Sequence, residues 1–296
     1  MAGTKWALVT GVSAGGMGDA EVDAFLKRKV NVIATAVDIK LLDYLHGDDE
    51  KYGASLVHVE LDVTSAESIA AAVQQVEKIT DGKLDFLINN AGYGYYMPLM
   101  DADIEKAKKQ YDVNVWGVLA VTQAFFPLLR AAKGTVVNQS SIAGIQGFNR
   151  PFMSIYNSSK AAVTSLTDNM RVELSPFDIK VVALITSSIR TKFFENKEGG
   201  QHVQLPPTSA YLPIREQAEK VMSGSLSGSK GHDRFAVTRS TIAVLLSRWR
   251  YTRYIRRGYG AFKIYLIHLL LPMWLIDRWA RQSGGLNKLK KALRVK

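Results

Sequence analysis

The sequence has no cysteine. Disulfides, thiolate metal ligands and cysteine nucleophiles are therefore excluded, and any catalysis must rest on hydroxyl, amine, carboxylate or cofactor chemistry. A leader is also missing, because Met1-Ala2-Gly3-Thr4-Lys5 runs straight into the apolar stretch Trp6-Ala7-Leu8-Val9-Thr10, so entry into a secretory lumen is not expected. Lipidation is not predicted either, since residue 2 is alanine and the chain ends Arg294-Val295-Lys296 without a prenylation box. Long apolar runs are scarce in the tail. The run from Ile264 to Ile276 is interrupted by His268 and Pro272 and is too short for a bilayer, which needs about 20 residues. Acidic residues are scarce there too: from Gly231 onward 15 lysines and arginines face only Asp233 and Asp277. The net charge of +11 thus belongs to the tail, and residues 1–230 are close to neutral.

What the sequence does have is a core. With 47% hydrophobic residues in 296, a large α/β domain with an appendage is expected. Apolar, β-branched runs near 5–10, 30–36, 55–61, 83–89, 134–139 and 179–185 predict strands. Segments such as 20–29, 66–79, 104–129 and 158–174 carry helical period between them. This alternation predicts a Rossmann-type, doubly wound parallel sheet with its ligand crevice at the carboxyl ends of the strands. Residues 1–230 form the predicted catalytic domain, in which glycine, proline and serine clusters over about 191–230 read as a substrate loop. Residues 231–296 form a basic, amphipathic, helical C-terminal extension.

The first predicted strand ends in Thr10-Gly11-Val12-Ser13-Ala14-Gly15-Gly16-Met17-Gly18, just before a helix. Glycines let the backbone turn tightly and approach a pyrophosphate, and N–H groups at a helix start attract the anion. At the end of the second strand an acid favours a free ribose 2′-hydroxyl and a base favours a 2′-phosphate; here Ala36-Val37-Asp38 is followed by Lys40, an ambiguous pair. Further on come Leu61-Asp62-Val63-Thr64, Asn89-Asn90-Ala91-Gly92, and Tyr156-Asn157-Ser158-Ser159-Lys160, whose i, i+4 spacing puts a phenol and an ammonium on one helix face. A nearby ammonium favours the phenolate, so Lys160 is expected to pull the Tyr156 pKa down toward the range of an acid/base catalyst.

In this order the motifs resemble those of the short-chain dehydrogenase/reductase family over roughly residues 5–195. The extra residue in the glycine loop is similar to its fungal acyl-dihydroxyacetone-phosphate reductase branch. The resemblance implies hydride transfer between a nicotinamide cofactor and a ketone or secondary alcohol. Tyr156 would be the proton donor and Lys160 its partner, Ser141 (rather than Ser140) would hold the carbonyl oxygen, and Asn114 would maintain a proton relay. It implies cofactor contacts at Gly11, Ser13, Gly16, Met17, Gly18, Val37, Asp38, Asp62, Val63, Asn90, Ala91, Gly92, Tyr156, Lys160, Ile189 and Thr191, and no metal. The branch implies NADP(H); Val37 and Asp38, standing where a basic residue is common, leave NAD(H) as the alternative. Two departures stand out. Ser141 and Tyr156 are 15 positions apart rather than about 13, so two residues within Gly147-Phe148-Asn149-Arg150 are expected to bulge outward. Thr186-Ser187-Ser188-Ile189-Arg190-Thr191 keeps the family's threonine but lacks its Pro-Gly pair.

The tail carries Ser247-Arg248-Trp249-Arg250-Tyr251-Thr252-Arg253-Tyr254-Ile255-Arg256-Arg257 ahead of the short apolar run. Aromatics and arginines beside a short apolar helix suit a membrane headgroup interface. The alternative is packing on the core or on a second subunit. Nucleic-acid binding is not expected, because no reading module accompanies the basic residues. A hydrophobic or lipid-like ketone and a cytoplasmic-side location, peripheral on endoplasmic reticulum or lipid droplet membranes, complete this reading. The other functions considered are a cofactor-binding homologue turned to a secondary-metabolite transformation or cyclisation, and a membrane-surface module.

Overall fold

The computed structural model describes residues 5–46, 52–145, 148, 150–194, 204–224, 231–247 and 252–294. Its elements follow the predicted alternation: β1 (Trp6–Val9), α1 (Met17–Leu26), β2 (Asn31–Ala36), β3 (Leu56–Glu60), α2 (Ala66–Thr80), β4 (Phe86–Asn89), α3 (Ile104–Ala132), β5 (Thr135–Ser141), α4 (Ser154–Glu173) and β6 (Lys180–Thr186). The rest comprises β7 (Ile189–Arg190), α5 (Arg215–Met222), β8 (His232–Asp233), α6 (Arg234–Leu245), β9 (Tyr254–Arg257), α7 (Ala261–Leu270), α8 (Met273–Ser283) and α9 (Leu286–Ala292). The main sheet is wholly parallel, in the order β3-β2-β1-β4-β5-β6-β9, the doubly wound arrangement of a Rossmann fold.

Strand periodicity sorts the core. Ala7 and Val9 pack on one face of the sheet with Val22 and Phe25 of α1, while Leu8 packs on the other with Ile69 of α2 and Phe125 of α3. Both faces are covered, which explains the near-continuous apolar runs. Helix α3 is long and apolar enough to cross a membrane, the one such helix among the described residues. It is a core helix here, with Val121, Phe125 and Leu129 fully buried.

The seventh strand corrects the sequence reading. Tyr254–Arg257 lies inside the basic stretch assigned to a headgroup interface, yet it pairs in parallel with β6 from Ala183 to Thr186. Its side chains are used internally. Ile255 is buried, the Tyr254 hydroxyl donates to Asp168, Arg257 donates to the Ser240 hydroxyl, and the Arg256 guanidinium stacks 4.0 Å from the Tyr265 ring centroid. Four residues of alternating tyrosine, isoleucine and arginine carry too short a pattern to register as a strand. Arg248–Tyr251 of the same stretch lie outside the described residues.

Helix α1 carries one acid that the core does not welcome. Glu21 is buried where α1 packs on α6, and its Oε2 has no hydrogen-bond partner among the described residues. Burial pushes its carboxyl up to about 8. The unfolded chain releases this proton near pH 4.5, whereas the folded protein keeps it until about pH 8. Folding stability is therefore full below pH 4.5 and falls across that window, by a few kcal/mol in all. Glu21→Gln is expected to flatten this dependence. In urea titrations it should match the native chain at acidic pH and exceed it at pH 8.5; parallel curves at both would rule out a neutral buried carboxyl.

Candidate active site

The turn after β1 is built for close approach. Gly11 has φ of +65°, and a Cβ there would lie 2.6 Å from the Ala91 Cα. A Cβ on Gly16 would meet the Ser13 hydroxyl at 2.9 Å, and one on Gly18 the Asn90 amide at 2.8 Å. The first glycine thus lets the β1 turn lie against the turn after β4, and the third lets α1 start against Asn90. Asn90 locks the two turns together, its side chain donating to the Thr10 and Gly11 carbonyls at 2.8 and 3.1 Å. Ala91 N–H donates to the Thr10 hydroxyl.

The proton-handling residues converge from three elements. Helix α4 begins at Ser154, four residues before the predicted start, so both Tyr156 and Lys160 lie within it. Lys160 is buried and its Nζ donates to the Gln139 carbonyl of β5 at 2.8 Å. Tyr156 is buried, and the Ser141 hydroxyl at the end of β5, which donates to the Thr186 carbonyl and accepts from Ala143 N–H, stands near enough to the phenol to favour its charged form. Asn114 sits in a π-helical turn, Asp112–Trp116, within α3. Its side chain accepts from Tyr93 N–H and donates to the Tyr93 carbonyl and the Ser159 hydroxyl. A Cβ on Gly92 would lie 3.0 Å from Asn114 Oδ1 and 3.5 Å from Lys160 Nζ, so the turn after β4, the π turn and the lysine meet at one point.

The electrostatics correct one expectation. Burial pushes the Tyr156 phenol up to about 12, against which the Ser141 hydrogen bond pulls down. Burial likewise pushes the Lys160 amine down to about 8. The Lys160 Nζ is directed to the Gln139 carbonyl and stands 6.0 Å from the Tyr156 ring centroid, and burial dominates the shift of the phenol. The structure therefore holds Tyr156 as an acid, ready to donate, beside an amine that titrates near neutral pH.

Tyr156, Lys160 and Ser141 line a cleft of about 190 Å³ together with Gly11, Ser13, Gly16, Met17, Asn90, Gly92, Ile189 and Thr191. Gly18 and Ala91 support it from behind. Asp62 is occupied in its own turn, accepting from the Thr64 N–H and hydroxyl, and Val63 packs against Gly117. Val37 and Asp38 are exposed just past β2, where the Asp38 carboxylate accepts from Lys40 N–H. The expected outward bulge is not seen at Phe148 and Arg150, which line the cleft instead; Gly147 and Asn149 lie outside the described residues. Of the predicted substrate loop over about 191–230, Glu195 to Val203 and Ser225 to Lys230 also lie outside them.

Several residues that line or brace the cleft carried no sequence signal. Tyr96 reaches the cleft from the loop after β4, buried with its ring edge-on to Tyr156 at 5.6 Å and its hydroxyl without a partner among the described residues. Phe193 and Phe194 stack on Tyr156 and Tyr96 at 5.7 and 5.8 Å, so the cleft wall is aromatic. Asp19 accepts from Gly15 N–H and pairs with Arg234 of α6 at 3.2 Å, and Lys192 N–H donates to the Gly15 carbonyl. The glycine turn is thus clamped by residues more than 170 positions away, a coupling no local pattern encodes.

A dinucleotide fits these residues. Gly11 and Gly16 line the cleft without a side chain, and the Ser187 hydroxyl, buried on the cleft wall, has no partner among the described residues. Gly11, Ser13, Gly16 and Met17 would hold the pyrophosphate side, Asn90 and Gly92 the middle, and Ile189 and Thr191 with Ser187 the nicotinamide end.

A family model described as short chain dehydrogenase matches residues 5–201. The chain is 35% identical to a short-chain dehydrogenase of Penicillium ochrochloron over 95% of its length and 98% of that protein. It is 37% identical to an NADPH-dependent 1-acyldihydroxyacetone phosphate reductase of Schizosaccharomyces pombe over 73% of this chain and 71% of that one. Among solved structures, a short-chain dehydrogenase from Streptomyces avermitilis superposes with a TM-score of 0.76 at 26% identity, covering 96% of this chain and 99% of the other.

Proposed function

The chain belongs to the short-chain dehydrogenase/reductase family of NAD(P)-dependent oxidoreductases, and we propose that it reduces a hydrophobic ketone to a secondary alcohol. The observation that carries this reading is the convergence of Ser141, Tyr156 and Lys160 on one wall of the cleft that the glycine turn opens into. The bound cofactor supplies the hydride. The protein supplies position and protons: Ser141 orients the carbonyl oxygen, and Tyr156 donates the proton that oxygen gains as the alcohol forms. Lys160 is the buried amine beside Tyr156 that replaces that proton, and Asn114 fixes the helix turn behind it. The aromatic wall of Tyr96, Phe193 and Phe194 suits a substrate that is apolar around its ketone. Loss of reduced-nicotinamide absorbance with a panel of aromatic, aliphatic and phosphorylated ketones tests this; no turnover with any, at saturating cofactor, would defeat it.

For the cofactor we propose NADP(H), supported by the NADPH dependence of the Schizosaccharomyces pombe relative. NAD(H) is the second reading, favoured by Asp38, whose carboxylate stands just past β2 where a 2′-phosphate would meet like charge. An exposed like charge is worth about 1 kcal/mol, so Asp38→Ala is expected to raise kcat/KM for NADPH over NADH about fivefold. An unchanged ratio would show that Asp38 does not face the 2′ position.

A further inference from the structure

The C-terminal helices present two unlike faces. Inward, Ala261 and Ile264 of α7 pack with Ile142 and Ile185, and Leu286 and Leu289 of α9 pack with the cluster that contains Tyr96, Met153 and Tyr156. Outward, Phe262, Leu269 and Leu270 of α7 and Met273, Trp274 and Trp279 of α8 are between 45% and 72% exposed. Scattered exposed apolar residues are ordinary, but six large ones on two consecutive helices form a patch that water does not favour.

Charge identifies what covers it. Between Ala261 and Arg294 there are seven lysines and arginines, all exposed, against Asp277 alone. A second copy of this chain would bring the same cationic face against itself in a two-fold interface, with only Asp277 to answer it. An anionic lipid surface answers both features, since its headgroups pair with the cations and its acyl boundary takes the aromatic and aliphatic side chains. Length sets the mode. Helix α7 has 10 residues and rises about 15 Å, half of a hydrocarbon core, and Pro272 ends it. It is too short to span a membrane and can only lie along one.

The same helices rim the cleft. The His268 ring of α7 packs 5.7 Å from the Phe148 ring, which lines the cleft, and Gly284 after α8 abuts Pro151. We propose that α7 and α8 dock the protein on an anionic lipid surface beside the cleft mouth, and that the ketone is a membrane-partitioning molecule taken up from that surface. The second half rests on the reductase reading above.

The test floats the full chain with vesicles of phosphatidylcholine containing about 30% phosphatidylserine, and with phosphatidylcholine vesicles alone. About tenfold more protein is expected to float with the anionic vesicles, and about 0.5 M salt should remove the difference. The double variant Leu270→Glu, Trp274→Glu should stay at the bottom while keeping native turnover on a water-soluble ketone, and should lose turnover only on a vesicle-borne one. A native chain that does not float, a double variant that floats as well, or light scattering showing a dimer that the double variant dissociates would each overturn docking. Flotation without turnover on any ketone would leave docking standing and remove the reductase reading, so the two fail separately.

Discussion

Tyr156→Phe is expected to lower kcat for ketone reduction by about 10² to 10⁴ while cofactor affinity, read by nicotinamide fluorescence, stays at the native value. The substitution removes one hydroxyl and little else. The ring keeps its buried edge-on contact with Tyr96 and its packing on Phe193, so the helix and the cleft wall stay in place. What is lost is the proton that Ser141 orients toward the substrate oxygen. The pH profile supplies a second readout. With the phenol pushed up to about 12, Tyr156 remains protonated throughout the working range, so the falling limb belongs to Lys160, whose amine burial pushes down to about 8. Reduction should be level below about pH 7 and decline through pH 8 as the ammonium is lost. Lys160→Met should remove that limb along with most of the turnover. Native kcat in Tyr156→Phe would take the proton away from this residue altogether.

Gly144→Ala should cost about 1–3 kcal/mol of stability and a large part of the turnover, although Gly144 touches neither substrate nor cofactor. A Cβ there would lie 2.5 Å from the Lys160 carbonyl oxygen and 2.6 Å from its carbon. Both are backbone atoms of α4, so no side chain can swing aside to admit it. The Ile142–Gly144 turn that follows Ser141 would have to lift off the helix that carries Tyr156 and Lys160. The contact that holds the serine against the phenol would open. Urea denaturation measures the first effect. The second appears as a fall in kcat larger than any rise in the KM for cofactor, since the glycine turn after β1 is not disturbed. A variant with native stability and native kcat would mean that this turn has room to move, contrary to the close approach seen here.

The serine-to-tyrosine spacing illustrates how sequence and structure divide the work. Fifteen positions separate Ser141 from Tyr156, yet both line one cleft. Spacing counts residues along a path, and the path here runs through a tight turn pinned by Gly144 and then past Phe148 and Arg150 facing the cleft. The Tyr156 phenol departs from the expected lowering for a related reason. A pair at i, i+4 fixes which helix face the two side chains share, but not which neighbour the ammonium chooses, and the Gln139 carbonyl lies on another element.

Periodicity, the glycine-rich turn and the ordered Asn, Ser, Tyr and Lys motifs were local patterns, each set by how a short stretch of backbone must run. They determined the parallel sheet, the place of its crevice and the residues to look for around it. The seventh strand, the aromatic wall from Tyr96 to Phe194, the Asp19–Arg234 clamp on the glycine turn and the two faces of the C-terminal helices were decided by tertiary packing alone. Each depends on segments far apart in the chain, whose meeting is favoured by burial against the rest of the protein and by no preference of their own residues.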